Sequence, residues 1–263
     1  MATLRMVGLD VAVLGMRLSG FGGSPHCEAN TGPLPRHGSD GKMADVEVHA
    51  ERDVDSLSSG QSAVPYFCQW ESAHLAGSFI RKELALADDP AWRTSGARDV
   101  EEYVRWANHV CGMACLKMVL AARSGQIHPT LELARRSVPF GAYTDRDGEI
   151  KGLIYAPFVR FVADEFGLDA RVHVGLGTCE LPAVLEDADY FMASVHPDIR
   201  QTDRFPPTKG GHLVLVTRAS ATSVTFHNPS GEVGSQTDVE LPLAVFDAFF
   251  AGRGIAILPG GKT

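Results

Sequence analysis

From Ala170 to the C-terminus the sequence consists largely of short stretches that suit a sheet better than anything else. ARVHV, YFMASVH, HLVLVTR, SVTFHN and GIAILP are rich in β-branched and aromatic residues and are broken by Gly, Pro, Asp and Ser. The chain before them has a different texture. Residues 72–88, SAHLAGSFIRKELALAD, fit a helix stopped before Pro90, and RDVEEYVRWA fits a second. A third runs from about Val110 to Arg123 and ends at Ser124–Gly125, while Pro129 and Pro157 occupy first-turn positions of two more, the later one ended by Gly167. Helices first and a mainly antiparallel sheet afterwards make an α+β layout. The ordered domain is expected over residues 63–263, opening on VPYFCQWES, with no internal repeat.

Composition excludes several classes of function. The chain has 263 residues, 44% apolar and 21% charged, enough for a substantial core. A formal net charge of −8 argues against nucleic acid or an anionic membrane as the main partner. No stretch of about 18 uncharged apolar residues is present, so no membrane-spanning helix is expected. Five scattered cysteines suit reduced thiols and a cytoplasmic location better than a disulfide framework. The N-terminus looks like a signal peptide, but Asp10 interrupts its apolar region and SPHC lacks a processing site. From Ser19 to about Ser62 the chain turns to Gly, Ser, Pro, Asp and Glu, too polar to order itself. Residues 1–62 are therefore expected to be a disordered tail or an over-long gene start, with Met43 as the alternative start.

HVCGMACLKMVLAARSG, residues 109–125, sets two cysteines four apart on one helix. Cys115 shares an apolar stripe with Met118, Val119 and Ala122 and reads as core. Cys111 falls at the helix N-terminus behind Asn108 or His109. There, unpaired backbone N–H groups and the positive end of the helix dipole favour a thiolate. Gly112 beside it leaves room for a substrate carbonyl. A zinc site built from His109, Cys111, Cys115 and a distant Cys68 or His212 is the weaker reading, because a C-x3-C pair has no matching second pair. No metal or cofactor is expected.

A cysteine nucleophile needs a base, a group that orients the base, and an oxyanion donor. Of ten histidines, His212 opens a strand behind two glycines in KGGHLVLVTRASATSVTFHNPSG. With a turn at Ala219, Ser220 and Ala221, Arg218 faces Thr222 and His212 faces Asn228 on the same side of the hairpin. His227 then points to the other face. Register decides this pairing, and a slip of one residue would break it. The Asn228 carbonyl can hold the tautomer that accepts a proton on the other ring nitrogen. His196, in SVHPDI, is the rival base. Gln69, an amide at the end of an apolar run upstream of Cys111, is the candidate oxyanion donor, with the Cys111 N–H as the second.

Gln69 in VPYFCQW, Cys111 in CGMACLKMVL, His212 in GGHLVLV and Asn228 in HNPSG stand in the order found in papain-like cysteine peptidases. The chain most resembles the bacterial family of bacteriocin double-glycine leader peptidases and their stand-alone relatives, over about residues 64–258. The resemblance implies Cys111 as nucleophile, His212 as base, Asn228 as its orienter and Gln69 as oxyanion donor. It also implies a papain-like fold with the nucleophile at a helix N-terminus packed on the sheet. Two departures stand out. A helical insertion at about 71–108 separates Gln69 from Cys111, and Asn228 occupies a position where many leader peptidases have aspartate. The membrane and ATPase parts of exporting transporters are absent from this sequence, so export is not implied.

The expected function is a thiol-dependent hydrolase acting on a peptide or amide substrate. An acyltransferase or peptide-processing enzyme would share every one of these residues. A non-catalytic binding module on the same fold, with Cys111 an ordinary buried thiol, is the reading from a different class. Trp70, Trp92, Trp106 and Tyr143 read as packing aromatics.

Overall fold

A computed structural model describes residues 64–146 and 148–260. The expected tail and the alternative start at Met43 lie outside the described residues. The helices are α1 (Ala76–Ile80), α2 (Val100–Trp106), α3 (Cys111–Ser124), α4 (Thr130–Ser137), α5 (Tyr155–Phe166), α6 (Leu181–Glu186) and α7 (Leu243–Asp247). The strands are β1 (Thr144–Arg146), β2 (Glu149–Lys151), β3 (Ala170–Val174), β4 (Tyr190–Val195), β5 (His212–Ala219), β6 (Ser223–His227), β7 (Val239–Pro242) and β8 (Phe250–Ile257). Six of them form one sheet in the order β3-β8-β4-β5-β6-β7, antiparallel throughout, and β1 pairs with β2 as a separate hairpin. The α+β layout read from the sequence is the one observed.

Side-chain alternation builds two cores, one on each face of this sheet. Tyr190, Met192, Leu213, Leu215, Ile255 and Ile257 pack against α3, α4 and α5. Phe191, Ala193, Val195, Val214, Val216 and Phe226 pack against Leu181 of α6 and Phe246 of α7. That second layer was absent from the sequence reading, since α6 and α7 span only 6 and 5 residues. Strand β4 lies between the two cores with every residue buried.

Helix α3 departs from the single apolar stripe expected of it. Every residue from Gly112 to Ala121 is buried, which makes it the central helix of its core. Lys117, one of these, is neutralised in place by Glu71 at 3.6 Å, with its ammonium 4.8 Å from the Phe67 ring centre. Cys68, Cys111 and Cys115 are free thiols, whereas Cys179 is disulfide-bonded, contrary to the expectation of reduced cysteines throughout.

The single helix expected over 72–88 is broken. A 3-10 turn at Ala73–Leu75 runs into α1, which stops as Lys82 enters the left-handed region at φ 59, and a second 3-10 turn follows at Leu86–Asp88. Asp89 explains the break. Buried at 1% exposure, its carboxylate accepts from Ser72 Oγ at 2.6 Å, from the N–H groups of Ser72 and Ala91, and from the Tyr103 hydroxyl. Satisfying this carboxylate folds the segment back on itself. In α2, Asp99 caps the helix by accepting from the Glu102 N–H at 2.7 Å. The two ends of the 71–108 excursion meet where Trp70 Nε1 donates to Asn108 Oδ1 at 3.0 Å.

Candidate active site

His212 is the first residue of β5 and is buried, with 5% exposure. Gly210 and Gly211 precede it at φ 95 and 97, a region open to glycine and strained for other residues. Its Nε2 lies 2.9 Å from Asn228 Oδ1 and 2.9 Å from Ser230 Oγ. The route to this contact differs from the expected one. Near the turn the β5–β6 register pairs Arg218 with Thr225 and Ala219 with Val224, so the turn takes the four residues Ser220–Ser223 where three, from Ala219 to Ala221, were expected. That register alone would send Asn228 to the wrong face. An irregularity between Val216 and Arg218 inserts Thr217 as an extra residue and restores Leu215 opposite His227. Continued past the end of the ladder, this register sets Ser230 across from His212, with Asn228 diagonal to it on the same face. His227 points away, as expected, and sits between the Val64 carbonyl and the Asp238 N–H.

The hydrogen bonds determine the imidazole tautomer. Asn228 Oδ1 also receives the Ser230 N–H at 3.1 Å, so the atom facing the ring is the carbonyl oxygen and not the amide nitrogen. An acceptor 2.9 Å from Nε2 requires the proton on Nε2. Nδ1 is left with a bare lone pair, the form a general base needs. Burial drives the His212 pKa down to about 4, with Arg200 adding to the shift and Asn228 opposing it. The ring is neutral at pH 7.

Cys111 is the first residue of α3 and partly exposed, the only free thiol among the described residues that is not buried. The N-cap is Val110, without a side-chain cap; Asn108, one of the expected caps, is engaged by Trp70 instead. The thiol faces the N–H groups of Leu213, Gly112 and Cys111 itself, which favour the thiolate, as does the charge of Arg200. Burial outweighs them and holds its pKa above the ordinary thiol value, so the lowered pKa expected from the helix terminus is not observed. No hydrogen bond joins this thiol to the imidazole, although its neighbour Leu213 adjoins His212 in β5. Gly112 is not open to a substrate, contrary to expectation. A Cβ there would lie 3.0 Å from Leu153 Cδ2 and 3.1 Å from Leu213 Cδ1, so the glycine lets α3 approach β5. Cys115 is fully buried, 3.8 Å from the Leu213 carbonyl, in agreement with its core reading.

Segment 64–69 lies along the far side of the Asn228 loop. Tyr66 hydroxyl donates to the Asn228 carbonyl at 3.0 Å, and the Gln69 N–H donates to the Pro229 carbonyl at 2.8 Å. The Cys68 thiol, 3.0 Å from the same carbonyl, is pushed up to about 11 by burial. Gln69 is 4% exposed and its amide forms no hydrogen bond within the described residues. The Trp70–Asn108 contact brings the chain on either side of the excursion together despite the long gap in sequence.

Two residues at this site went unread in the sequence. Ser230 meets the ring directly, and Arg200 donates through Nη2 to Ser230 Oγ at 2.7 Å and through Nε to the Ser230 carbonyl at 2.7 Å. Arg200 ends the 3-10 turn Pro197–Arg200 that follows β4. The rival base His196 caps that turn, its Nδ1 accepting from the Asp198 N–H at 3.1 Å. A serine two residues after Asn228 was in plain view; its role depends on the bulge, which leaves no sequence signal. Among the described residues no group of three or more His, Cys, Asp or Glu is arranged to hold a metal, and no helix is long and apolar enough to cross a membrane.

No protein-family model matches the chain, and no curated protein matches it. Among solved structures the chain is similar to the peptidase domain of Streptococcus ComA, a bi-functional ABC transporter of a quorum-sensing pathway. Identity is 18% over 57% of this chain and 91% of that one, with a TM-score of 0.40. It is also similar to a double-glycine-motif protease from an AMS/PCAT transporter, solved with its leader peptide. There identity is 18% over 57% of this chain and 84% of that one, with a TM-score of 0.38.

Proposed function

We propose that the chain is a thiol-dependent hydrolase of peptide or amide bonds, with a papain-like domain over residues 63–263 and a helical insertion at about 71–108. One observation carries the reading: Nε2 of His212 is tied to Asn228 Oδ1, which leaves Nδ1 bare in a ring that burial keeps neutral. In this reading Cys111 is the nucleophile, His212 the base and Asn228 the group that orients it. The Cys111 N–H and the unbonded Gln69 amide receive the oxyanion.

The reaction starts from a neutral thiol and a neutral imidazole. The thiol proton passes to Nδ1 as Sγ bonds to the substrate carbonyl carbon and the carbonyl electrons move onto oxygen. The imidazolium returns that proton to the leaving amine as the C–N bond breaks, leaving a thioester on Cys111. Water then attacks the thioester, giving its proton to Nδ1, and the acid departs as the thiol reforms. An amine or thiol acceptor in place of water would make the same site an acyltransferase.

A second reading has its own support. The raised thiol pKa and the lack of a thiol–imidazole hydrogen bond are what a non-catalytic binding module would have. Iodoacetamide labelling from pH 4 to 9, with the adduct located by mass spectrometry, separates the two. Preferential reaction at Cys111 that falls in His212→Ala supports the hydrolase. Equal, slow reaction of the free thiols Cys68, Cys111 and Cys115 that His212→Ala leaves unchanged supports the module.

A further inference from the structure

We propose that Ser230 and Arg200 are positioning residues for His212, forming a second support of the ring beside Asn228 and supplying the fixed positive charge of the site. The inference rests on the proposed role of His212 as base.

Hydrogen-bond stoichiometry gives the argument its direction. A guanidinium only donates, so Arg200 Nη2 at 2.7 Å occupies one of the two lone pairs of Ser230 Oγ, while Nε–H goes to the Ser230 carbonyl at 2.7 Å and leaves the second lone pair of Oγ free for the ring. The one hydroxyl proton of Ser230 cannot go to Nε2, which already carries a proton, so it is directed at Asn228 Oδ1, 3.4 Å away. Nε2–H is thus shared between Asn228 Oδ1 and Ser230 Oγ, both at 2.9 Å. Arg200 holds the serine, and the serine and asparagine together hold the ring. Ser230 is fully buried, so this chain of contacts is shielded from water.

Arg200 has no salt-bridge partner among the described residues. Asp198 and Glu232 act on it only at longer range. Its charge bears on His212 from the Nε2 side and on Cys111, and Cys111 and Cys68 are the thiols whose fields it feels in return. A fixed cation there opposes imidazolium formation and favours negative charge on sulfur. The ring is thereby kept unprotonated at neutral pH. The polar and charged side chains set against His212 are Arg200 from the turn after β4, and Asn228 and Ser230 from the loop after β6.

The test is a histidine-resolved NMR titration of the full chain, comparing wild type with Arg200→Met, Arg200→Lys and Ser230→Ala. Arg200→Met is expected to raise the His212 midpoint by roughly one unit. Arg200→Lys, which keeps the charge, stays near wild type, and Ser230→Ala, which takes an acceptor away from Nε2–H, lowers the midpoint by a smaller amount. Ser230→Ala removes only a hydroxyl, and it preserves a readout if Arg200→Met does not fold. Unchanged His212 titration in folded Arg200→Met or, failing that, in Ser230→Ala would overturn the proposal. Because the titration needs no substrate and no reactive thiol, it stays informative where Cys111 labelling shows the hydrolase reading to be wrong.

Discussion

Asn228 Oδ1 holds His212 Nε2 at 2.9 Å while accepting the Ser230 N–H at 3.1 Å, so one backbone amide two residues away sets which nitrogen of the imidazole is basic. Asn228→Ala frees the ring to populate the other tautomer. Cys111 alkylation at pH 7 should fall by roughly tenfold. Asn228→Asp places a carboxylate against Nε2–H and should raise the His212 midpoint from about 4 by roughly 1–3 units, read by the same NMR titration.

The low His212 pKa also acts on stability. Its folded value of about 4 lies below the unperturbed 6.5, so between these values the unfolded chain binds a proton that the folded site refuses. Stability should therefore decline as pH falls from 6.5 to 4, by about 3 kcal/mol in total from this residue. Above 6.5 the ring is neutral in both states and contributes no pH dependence. Urea unfolding across this range should show a shallower acid decline in His212→Asn than in wild type.

Lys117 and Glu71 make a buried ion pair, 6% and 8% exposed at their side chains. Glu71 also accepts from Thr94 at 3.0 Å and Thr130 at 3.1 Å. Lys117→Met leaves a carboxylate buried without its cation and should cost about 3–5 kcal/mol. Adding Glu71→Gln should recover part of that loss. A double-mutant cycle by denaturant unfolding checks both.

Cys111 and Cys115 should separate cleanly by substitution. Cys115→Ala opens a small cavity in a packed core, costing about 1 kcal/mol and leaving the labelling of Cys111 intact. Cys111→Ser should abolish the fast labelling while changing the unfolding midpoint little. Mass spectrometry and thermal unfolding report on the two effects independently.

Much of the framework was legible because local chemistry and tertiary context agreed. The strands at ARVHV and SVTFHN, the helix closing at Ser124–Gly125 and the stop at Gly167 follow from periodicity and end signals. Reading failed where a long-range contact overrode a local one. Residues 72–88 have helical texture, but the need to satisfy Asp89 with Ser72 and Tyr103 breaks them. The His212–Asn228 proximity was anticipated from a hairpin register that does not occur. It survives because the Thr217 bulge corrects a lengthened turn by one residue and so keeps both side chains on one face. Arg200 lies in a stretch notable in sequence only for His196, and nothing local marks an arginine that reaches a serine thirty residues on.

The strap of residues 64–69 over the Asn228 loop has a consequence in time. Its bonds join Tyr66 to Asn228 and Cys68 to Pro229, 162 and 161 residues apart in sequence. Contacts of such separation close late, after the locally bonded helices have formed. A chain still being synthesised can form α3 and expose Cys111, yet it has no Asn228 to orient His212 and no loop for the strap to grip. The histidine thus has its tautomer set only once the chain through Ser230 has been made, and on the proposed reading a half-made copy of this protein carries a thiol without its base.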